Sequence, residues 1–391
     1  MSEQVSRRAF VATAASAAQV PGANERIRLG IIGAGGRGSY LMNIANKLGG
    51  LEWVAVCDAW DERCRRAARL AGAPVAEYTD YRRLLDHKDI DGVIVATWDH
   101  LHAEITAAAC RAAKDVFVEK PMTSLPMQGH AVVRAARQYQ RIVQVGTQQR
   151  SMANFREAKQ RFIDTGRIGQ VTLARTIWNA NRGYLEKAPL GMEEKPPGLD
   201  WNACLGWLPK IPWDPQRYFN RFAYWDFSTG GQTGGLFVHM VDVVHWYLGL
   251  RQAVSAVALG GVYRYDDGRD TPDNINAIVE YPNKLNVTFE ATITDLIPKE
   301  SATIVFLGSG GRLSIFRGGY RFIPAEPDAP EITAGGAPES DHMANWLECM
   351  RTRKRPNCDE VEGHYSSLAC HLVNIAYQKK SRALWQKEWD V

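Results

Sequence analysis

The chain has 391 residues, 45% of them hydrophobic and 23% charged, with 47 basic against 43 acidic side chains and a formal net charge of +4. That length carries two domains with full cores, and so mixed a charge gives no case for nucleic-acid binding. The seven cysteines are scattered, odd in number and without a C-x-x-C pair, which argues against a disulfide framework and against a cysteine metal site.

Residues 1–24 do not read as fold. Ser6-Arg7-Arg8-Ala9-Phe10-Val11 resembles a bacterial twin-arginine export signal, followed by a weakly hydrophobic, Ala-rich segment too short to span a membrane. The expectation is export to the periplasm, with small residues around Ala15 to Ala18 allowing cleavage. A cytoplasmic protein is expected if the leader does not function. Because that route carries folded proteins, an exported enzyme would load its nucleotide beforehand and hold it tightly.

Ile27, Leu29, Ile31 and Ile32 form an apolar run suited to a buried parallel strand. Gly33, Gly35 and Gly38 follow in G-x-G-x-x-G spacing and lead into a helical stretch with Tyr40, Leu41, Ile44 and Leu48. Gly33 permits the tight turn, Gly35 lets the backbone approach a pyrophosphate, and Gly38 lets helix and strand pack closely. The helix N-terminus offers free N–H groups to phosphates. A second strand, 53–57, leads to Asp58, placed to accept from the adenosine ribose hydroxyls. An acid there favours NAD over NADP.

Residues 61–71 read as a charged amphipathic helix, 78–85 as a strand end and short helix, and 91–97 as a buried strand. A helix follows from Ala103 to Ala113, then a strand over 115–118 that ends at Glu119-Lys120-Pro121. Thr123 and Ser124 open a further helix, and 142–147 is a sixth strand. Alternating strands and helices predict a doubly wound parallel sheet over 25–148, with ligands at the carboxyl ends of its strands.

After residue 150 the character changes. Residues 155–165 read as a helix and 171–177 as a strand. A long aromatic and proline-rich insertion, 178–225, then carries Trp201, Trp207, Trp213 and Trp225. Loops of that length usually build a site; the tryptophans suit either stacking on sugar rings or a small core of the loop itself. Residues 230–249 are a glycine turn into a helix, and the alternation over 253–316 predicts an antiparallel sheet with one covered face. Residues 320–340 read as a linker, and 342–351 and 366–378 as closing helices. The fold class is therefore α/β: a Rossmann sheet, then an α+β domain (149–391) with a large, open, mainly antiparallel sheet.

The glycine-rich turn, E-K-P at 119–121, V-G-x-Q-x-R at 145–150 and the glycine-led H-x-x-D-x-x-x-W helix at 239–246, in this order, resemble the glucose–fructose oxidoreductase / inositol dehydrogenase / rhizopine catabolism (Gfo/Idh/MocA) family. The resemblance runs from about residue 25 to the end. It implies Lys120 as the catalytic lysine, which from first principles can hydrogen-bond a reacting hydroxyl and stabilise its oxyanion, although a strand-end lysine can also serve a salt bridge. It implies His239 as the family histidine, a possible general base. Asp242, one turn on, either orients His239 or bridges to its surroundings; His245 reads as structural. It implies NAD contacts at Gly33, Gly35, Gly36, Arg37, Gly38, Asp58, Thr97, His102, Glu119, Lys120 and Gln148; His102 can equally cap a helix. Arg150, Tyr184, Trp201, Trp225 and Asp226 are candidate substrate contacts, with Arg182 beside Tyr184. No metal site is expected. One departure stands out: where family dehydrogenases commonly carry an Asp four residues before the histidine, this chain has Gly235, and only Asp226 suggests itself as a spatial substitute.

The expected function is hydride transfer between NAD and a ring hydroxyl carbon of a sugar, sugar derivative or polyol. Two alternatives are a glycosidase that uses NAD without net redox, known among relatives of the family, and a non-catalytic sugar-binding protein. The expected assembly is a homo-oligomer, dimer or tetramer, paired through the open sheet face.

Overall fold

The run Ile27–Ile32 is buried at nearly every position, as a strand covered on both faces must be. In the computed structural model, which describes residues 26–295 and 302–391, it is the first of six parallel strands. These are β1 (Ile27–Ile32), β2 (Leu51–Cys57), β3 (Ala76–Tyr78), β4 (Gly92–Val95), β5 (Asp115–Val118) and β6 (Val143–Val145), in the order β3-β2-β1-β4-β5-β6. The order reverses between β1 and β4, and a crevice opens there at the carboxyl ends of the strands. The expected leader lies outside the described residues. The helix expected to open at Thr123 and Ser124 begins instead at Gln128, whose Oε1 accepts from the Ser124 and Leu125 amides (2.9 and 3.1 Å) and holds that segment as a turn.

The second sheet has nine strands: β7 (Val171–Asn179), β8 (Ser255–Gly261), β9 (Asn274–Tyr281), β10 (Leu285–Thr292), β11 (Thr303–Gly308), β12 (Gly311–Phe316), β13 (Gly319–Pro324), β14 (Ile332–Gly335) and β15 (Ala383–Leu384). Their order is β14-β13-β12-β11-β7-β10-β9-β8-β15. The expectation of an antiparallel sheet holds except at the centre, where β10 pairs with β7 in parallel because a long excursion separates them in the chain. The expected linker over 320–340 contains most of β13 and the edge strand β14. Its Pro/Gly/Ala content hides an alternation in which Tyr320 and Phe322 point inward and are buried. Helices Val238–Leu248 and Glu360–Lys379 cover one face, with Val241, Val244, Leu372 and Val373 packed on Ile275, Val287 and Phe289. The other face leaves Leu259 at 78% and Ile278 at 46% exposure. The expected helix at 155–165 is Ala153–Ala158 continued by a π-helical turn to Asp164.

Two excursions tie the sheets together. Helix Asp341–Thr352 returns to the first sheet, where Met343, Trp346, Leu347 and Met350 join Leu29, Ile31, Ile94 and Phe117 in one core. The insertion has a core of its own, built on Leu199, Trp201, Leu205, Tyr218 and Phe227. It is strapped to the first sheet by Asp200 N–H to Ala59 O (2.8 Å), Asp61 N–H to Gly198 O (3.2 Å) and the Trp207 indole to His100 O (2.7 Å).

Candidate active site

A cavity of about 750 Å³ lies between the carboxyl ends of β1, β2, β4 and β5 and the insertion, within the size range of small-molecule sites. Its first half is a glycine cradle. Gly33 has φ +91°, and a Cβ there would lie 2.6 Å from the Ala96 backbone. A Cβ on Gly38 would lie 2.0 Å from Gly33 O, while Gly36 faces open space at the start of helix Gly36–Leu48. Asp58 is buried, its carboxylate accepting from the Ala34 amide (2.8 Å) and the Trp60 amide (3.0 Å). Burial pushes its carboxyl pKa up, against the pull of Arg63. A turn that admits no side chain, a free helix N-terminus and a fixed acid suit a dinucleotide.

Glu119 is buried and bonded to Arg37 Nε at 2.6 Å. Burial alone would raise its pKa, but the charges of Arg37 and Lys120 outweigh it and hold the group below the usual carboxylate range. Gln148 donates to Glu339 (2.8 Å), which also takes the Tyr40 hydroxyl, so Gln148 belongs to a network behind the cavity. Thr97 lines the cavity. His102 lines it too, inside helix Asp99–Arg111 rather than capping it, with Nδ1 2.8 Å from Pro121 O.

Lys120 stands at the end of β5 and donates from Nζ to the Gly235 carbonyl at 2.6 Å. Burial pulls its pKa down to about 8, against the support of Asp99 and Glu119. His239 is buried, stacked on Trp178 with ring centroids 6.2 Å apart, and its Nδ1 has no partner among the described residues. Burial, then the charges of Lys120 and Arg317, keep it neutral. It is not among the residues lining the cavity.

Several expected roles are corrected by what the side chains touch. Asp242 does not orient His239: its carboxylate is fully buried and accepts from Arg150 Nε (2.7 Å) and the Ser366 hydroxyl (2.8 Å). Arg150, between Asp242 and Glu362, is equally enclosed and cannot reach a substrate. Trp201 packs on Phe227 in the insertion core and donates to Ile211 O. Trp225 stacks on Tyr377. Asp226 pairs with Arg217 at 2.6 Å and does not replace the carboxylate absent at Gly235. Tyr184 and Arg182 do line the cavity.

Sequence reasoning missed Arg63, Asp99, Arg221 and Phe222. Arg221 pairs with Asp99 at 2.7 Å, and Asp99 is the carboxylate that most supports the charge on Lys120. Phe222 fills the space beside Gly235: a Cβ at 235 would lie 2.1 Å from its ring. The available signal was the aromatic and basic run 217–225 inside the insertion. Gly235→Asp is therefore expected to lower the thermal midpoint by several degrees, in line with an overpacking cost of about 1–3 kcal/mol. Adding Phe222→Ala should recover most of the loss. An unchanged midpoint in the single variant would show that Phe222 moves aside freely.

Residues 27–147 match the family model for the NAD-binding Rossmann fold of the Gfo/Idh/MocA oxidoreductases, and residues 160–387 match its C-terminal alpha/beta domain. Inositol 2-dehydrogenase of Salmonella paratyphi B is 35% identical over 146 residues, 37% of this chain and 43% of that protein. The match thus spans less than half of that relative's length. Among solved structures, the WlbA dehydrogenase of Bordetella pertussis, in complex with NADH and UDP-GlcNAcA, superposes with a TM-score of 0.71 at 18% identity, over 92% of this chain and 98% of the other. Levoglucosan dehydrogenase, in complex with NADH and levoglucosan, gives 0.72 at 18% identity, over 92% and 99%. These likenesses show the fold: a Rossmann domain followed by a mixed-sheet α/β domain.

Proposed function

The chain belongs to the Gfo/Idh/MocA oxidoreductase family, and from that premise we propose that it is an NAD-dependent dehydrogenase of a sugar, sugar derivative or polyol. The observation that carries the reading is Lys120: a lysine at a strand end, on the wall of a cavity that begins with a glycine cradle, with its pKa brought to about 8. Gly33, Gly35 and Gly36 would hold the pyrophosphate and Asp58 the adenosine ribose, disfavouring a 2′-phosphate. When bound, the nicotinamide accepts or returns a hydride at the substrate carbon.

The protein's own part is the proton. As a free amine, Lys120 takes the proton of the reacting hydroxyl; as an ammonium it returns one in the reverse direction. Gly235 O and Asp99 hold the ammonium form in place. His239, absent from the cavity lining and held neutral by burial and the charge of Lys120, keeps an unpartnered nitrogen among the described residues but is a poor acceptor for the proton of Lys120. Substrate classes named for relatives, inositol and levoglucosan, support a polyhydroxylated ring.

The insertion favours a second reading. Its Ala203, Tyr218 and Phe219 line the cavity on the side of Asp58 and Arg63, covering the adenosine end. A nucleotide so covered would be retained, which suits redox-neutral glycoside cleavage as well as export of a preloaded protein behind Ser6–Val11. Pairing of copies through the exposed face of β8 and β9 is proposed on Leu259 and Ile278.

One experiment tests these readings. Purified protein is denatured and any released dinucleotide identified by mass, and the native protein is assayed on sugars and aryl glycosides. NADH formation from a free sugar, with kcat/KM rising with pH and levelling above about pH 8, supports the dehydrogenase. Aglycone release without added NAD supports the second reading. Neither activity, with no nucleotide bound, would sink both.

A further inference from the structure

We propose that the substrate of this site is a sugar bearing an anionic group, carboxylate or phosphate, and that Arg182 holds it. The inference rests on the dehydrogenase reading only for what happens at Lys120; the anion site stands on its own contacts.

Three arginines face the half of the cavity away from the glycine cradle: Arg182, Arg221 and Arg269. Two are already neutralised. Arg221 pairs with Asp99 at 2.7 Å, and Arg269 pairs with Asp267 at 2.5 Å, the second pair enclosed on both sides. Arg182 has no carboxylate partner among the described residues. Its basicity is lowered by burial within the cleft, with no neighbouring acid to offset it. Yet its side chain keeps access to the water of the cavity. An exposed guanidinium on the cavity wall, set over the Phe222 ring and paired with no carboxylate among the described residues, keeps its N–H donors open to an anionic ligand.

The charge is also fixed in place. Arg182 N–H donates to Ile293 O at 3.1 Å, Asn181 bridges to Thr294, and Arg269 donates to Gly183 O. The backbone on both sides of Arg182 is thus pinned to the end of β10 and to the neighbouring ion pair.

Position relative to the chemistry supplies the rest. The guanidinium carbon of Arg182 lies 5.3 Å from the Phe222 ring centroid, and Lys120 Nζ lies 5.9 Å from the same centroid. A pyranose resting on Phe222 would set a ring hydroxyl at Lys120 and an acidic substituent at Arg182. The planar fork of the guanidinium matches either anion through two parallel hydrogen bonds. Phe222 stands in the space a side chain at 235 would take, so the aromatic platform and the absent carboxylate are one feature. A carboxylate at 235 would repel an anionic sugar; an aromatic face does not.

The test uses the full-length protein saturated with NADH for binding, and with NAD for turnover. Binding of D-glucuronate, D-glucose 6-phosphate and D-glucose is measured by calorimetry. At least one anionic sugar should bind about tenfold or more tightly than glucose, and which one it is names the anion. Arg182→Leu should weaken that binding by about 100-fold and leave glucose and NADH binding unchanged, while Arg182→Lys should restore part of it. Equal affinity for all three sugars, no binding of either anion, or weakened NADH binding in Arg182→Leu would overturn the proposal. Binding of an anionic sugar through Arg182 without any NADH formed from NAD would sink the dehydrogenase reading and leave the anion site standing. Oxidation of glucose with both anions ignored would do the reverse.

Discussion

Lys120→Met is expected to lower kcat/KM by about 10³-fold while leaving NADH affinity within about twofold of the unaltered protein, the size of loss that follows removal of a positioned general acid–base. Methionine keeps the length of the side chain and its packing beside Phe222, so the loss isolates the amine. Two features make the lysine irreplaceable in its setting. Its pKa near 8 lets it exchange a proton near neutral pH, and the Gly235 carbonyl fixes the nitrogen. Arginine keeps its charge at any working pH, so Lys120→Arg should be nearly as inactive as the methionine variant. Steady-state kinetics on the best sugar, with NADH titration by fluorescence, gives both numbers. Residual activity within tenfold of the unaltered protein would remove Lys120 from the chemistry and pass the role to another group.

The largest effect on stability is expected at Asp242. Removing this carboxylate leaves the Arg150 guanidinium enclosed, with only the more distant pairing to Glu362. Breaking a buried pair from one side costs about 3–5 kcal/mol. Asp242→Ala should therefore lower the urea midpoint sharply. The double variant Asp242→Leu with Arg150→Met should recover much of the loss, because two apolar side chains leave no uncompensated charge. The same pair of variants separates a structural aspartate from one that orients His239. If Asp242 only supports packing, the folded double variant keeps its kcat and its pH profile. A double variant that is stable yet loses its kcat would restore a role in catalysis.

Why the sequence leaves Asp242 open between two roles yet places Lys120 at the end of a strand is a matter of range. Gly33, Gly38 and Asp58 sit within one strand–turn–helix–strand unit, where the spacing itself sets the geometry, and Lys120 follows directly from the end of a buried strand. Asp242 and Arg150 meet across 92 positions of sequence. Helical periodicity puts Asp242 on a face with His239, but it does not say what lies opposite that face. Phe222 was illegible for the same reason: the space it fills is defined by Gly235, from another segment. The parallel pairing of β7 with β10 is likewise set by a partner distant in sequence, since alternation marks a strand without choosing its neighbour. The tryptophans of the insertion left two readings open; burial decides for the loop's own core at Trp201 and Trp213, while Trp207 stays exposed and Trp225 stacks on Tyr377.

Helix Asp341–Thr352 has a consequence for modularity. A Rossmann unit is often regarded as a cassette that can be cut out and lent to other chains. Here a piece of its covering is encoded some two hundred residues downstream, and Gly92 is small because Met350 and Trp346 need its room. A gene fragment ending near residue 150 would leave Leu29, Ile94 and Phe117 without the helix that shields them. Recombination between relatives at the apparent boundary would pair one protein's sheet with another's helix. The two halves of this chain are therefore expected to have diverged together, and a graft of the nucleotide-binding half must carry this helix with it.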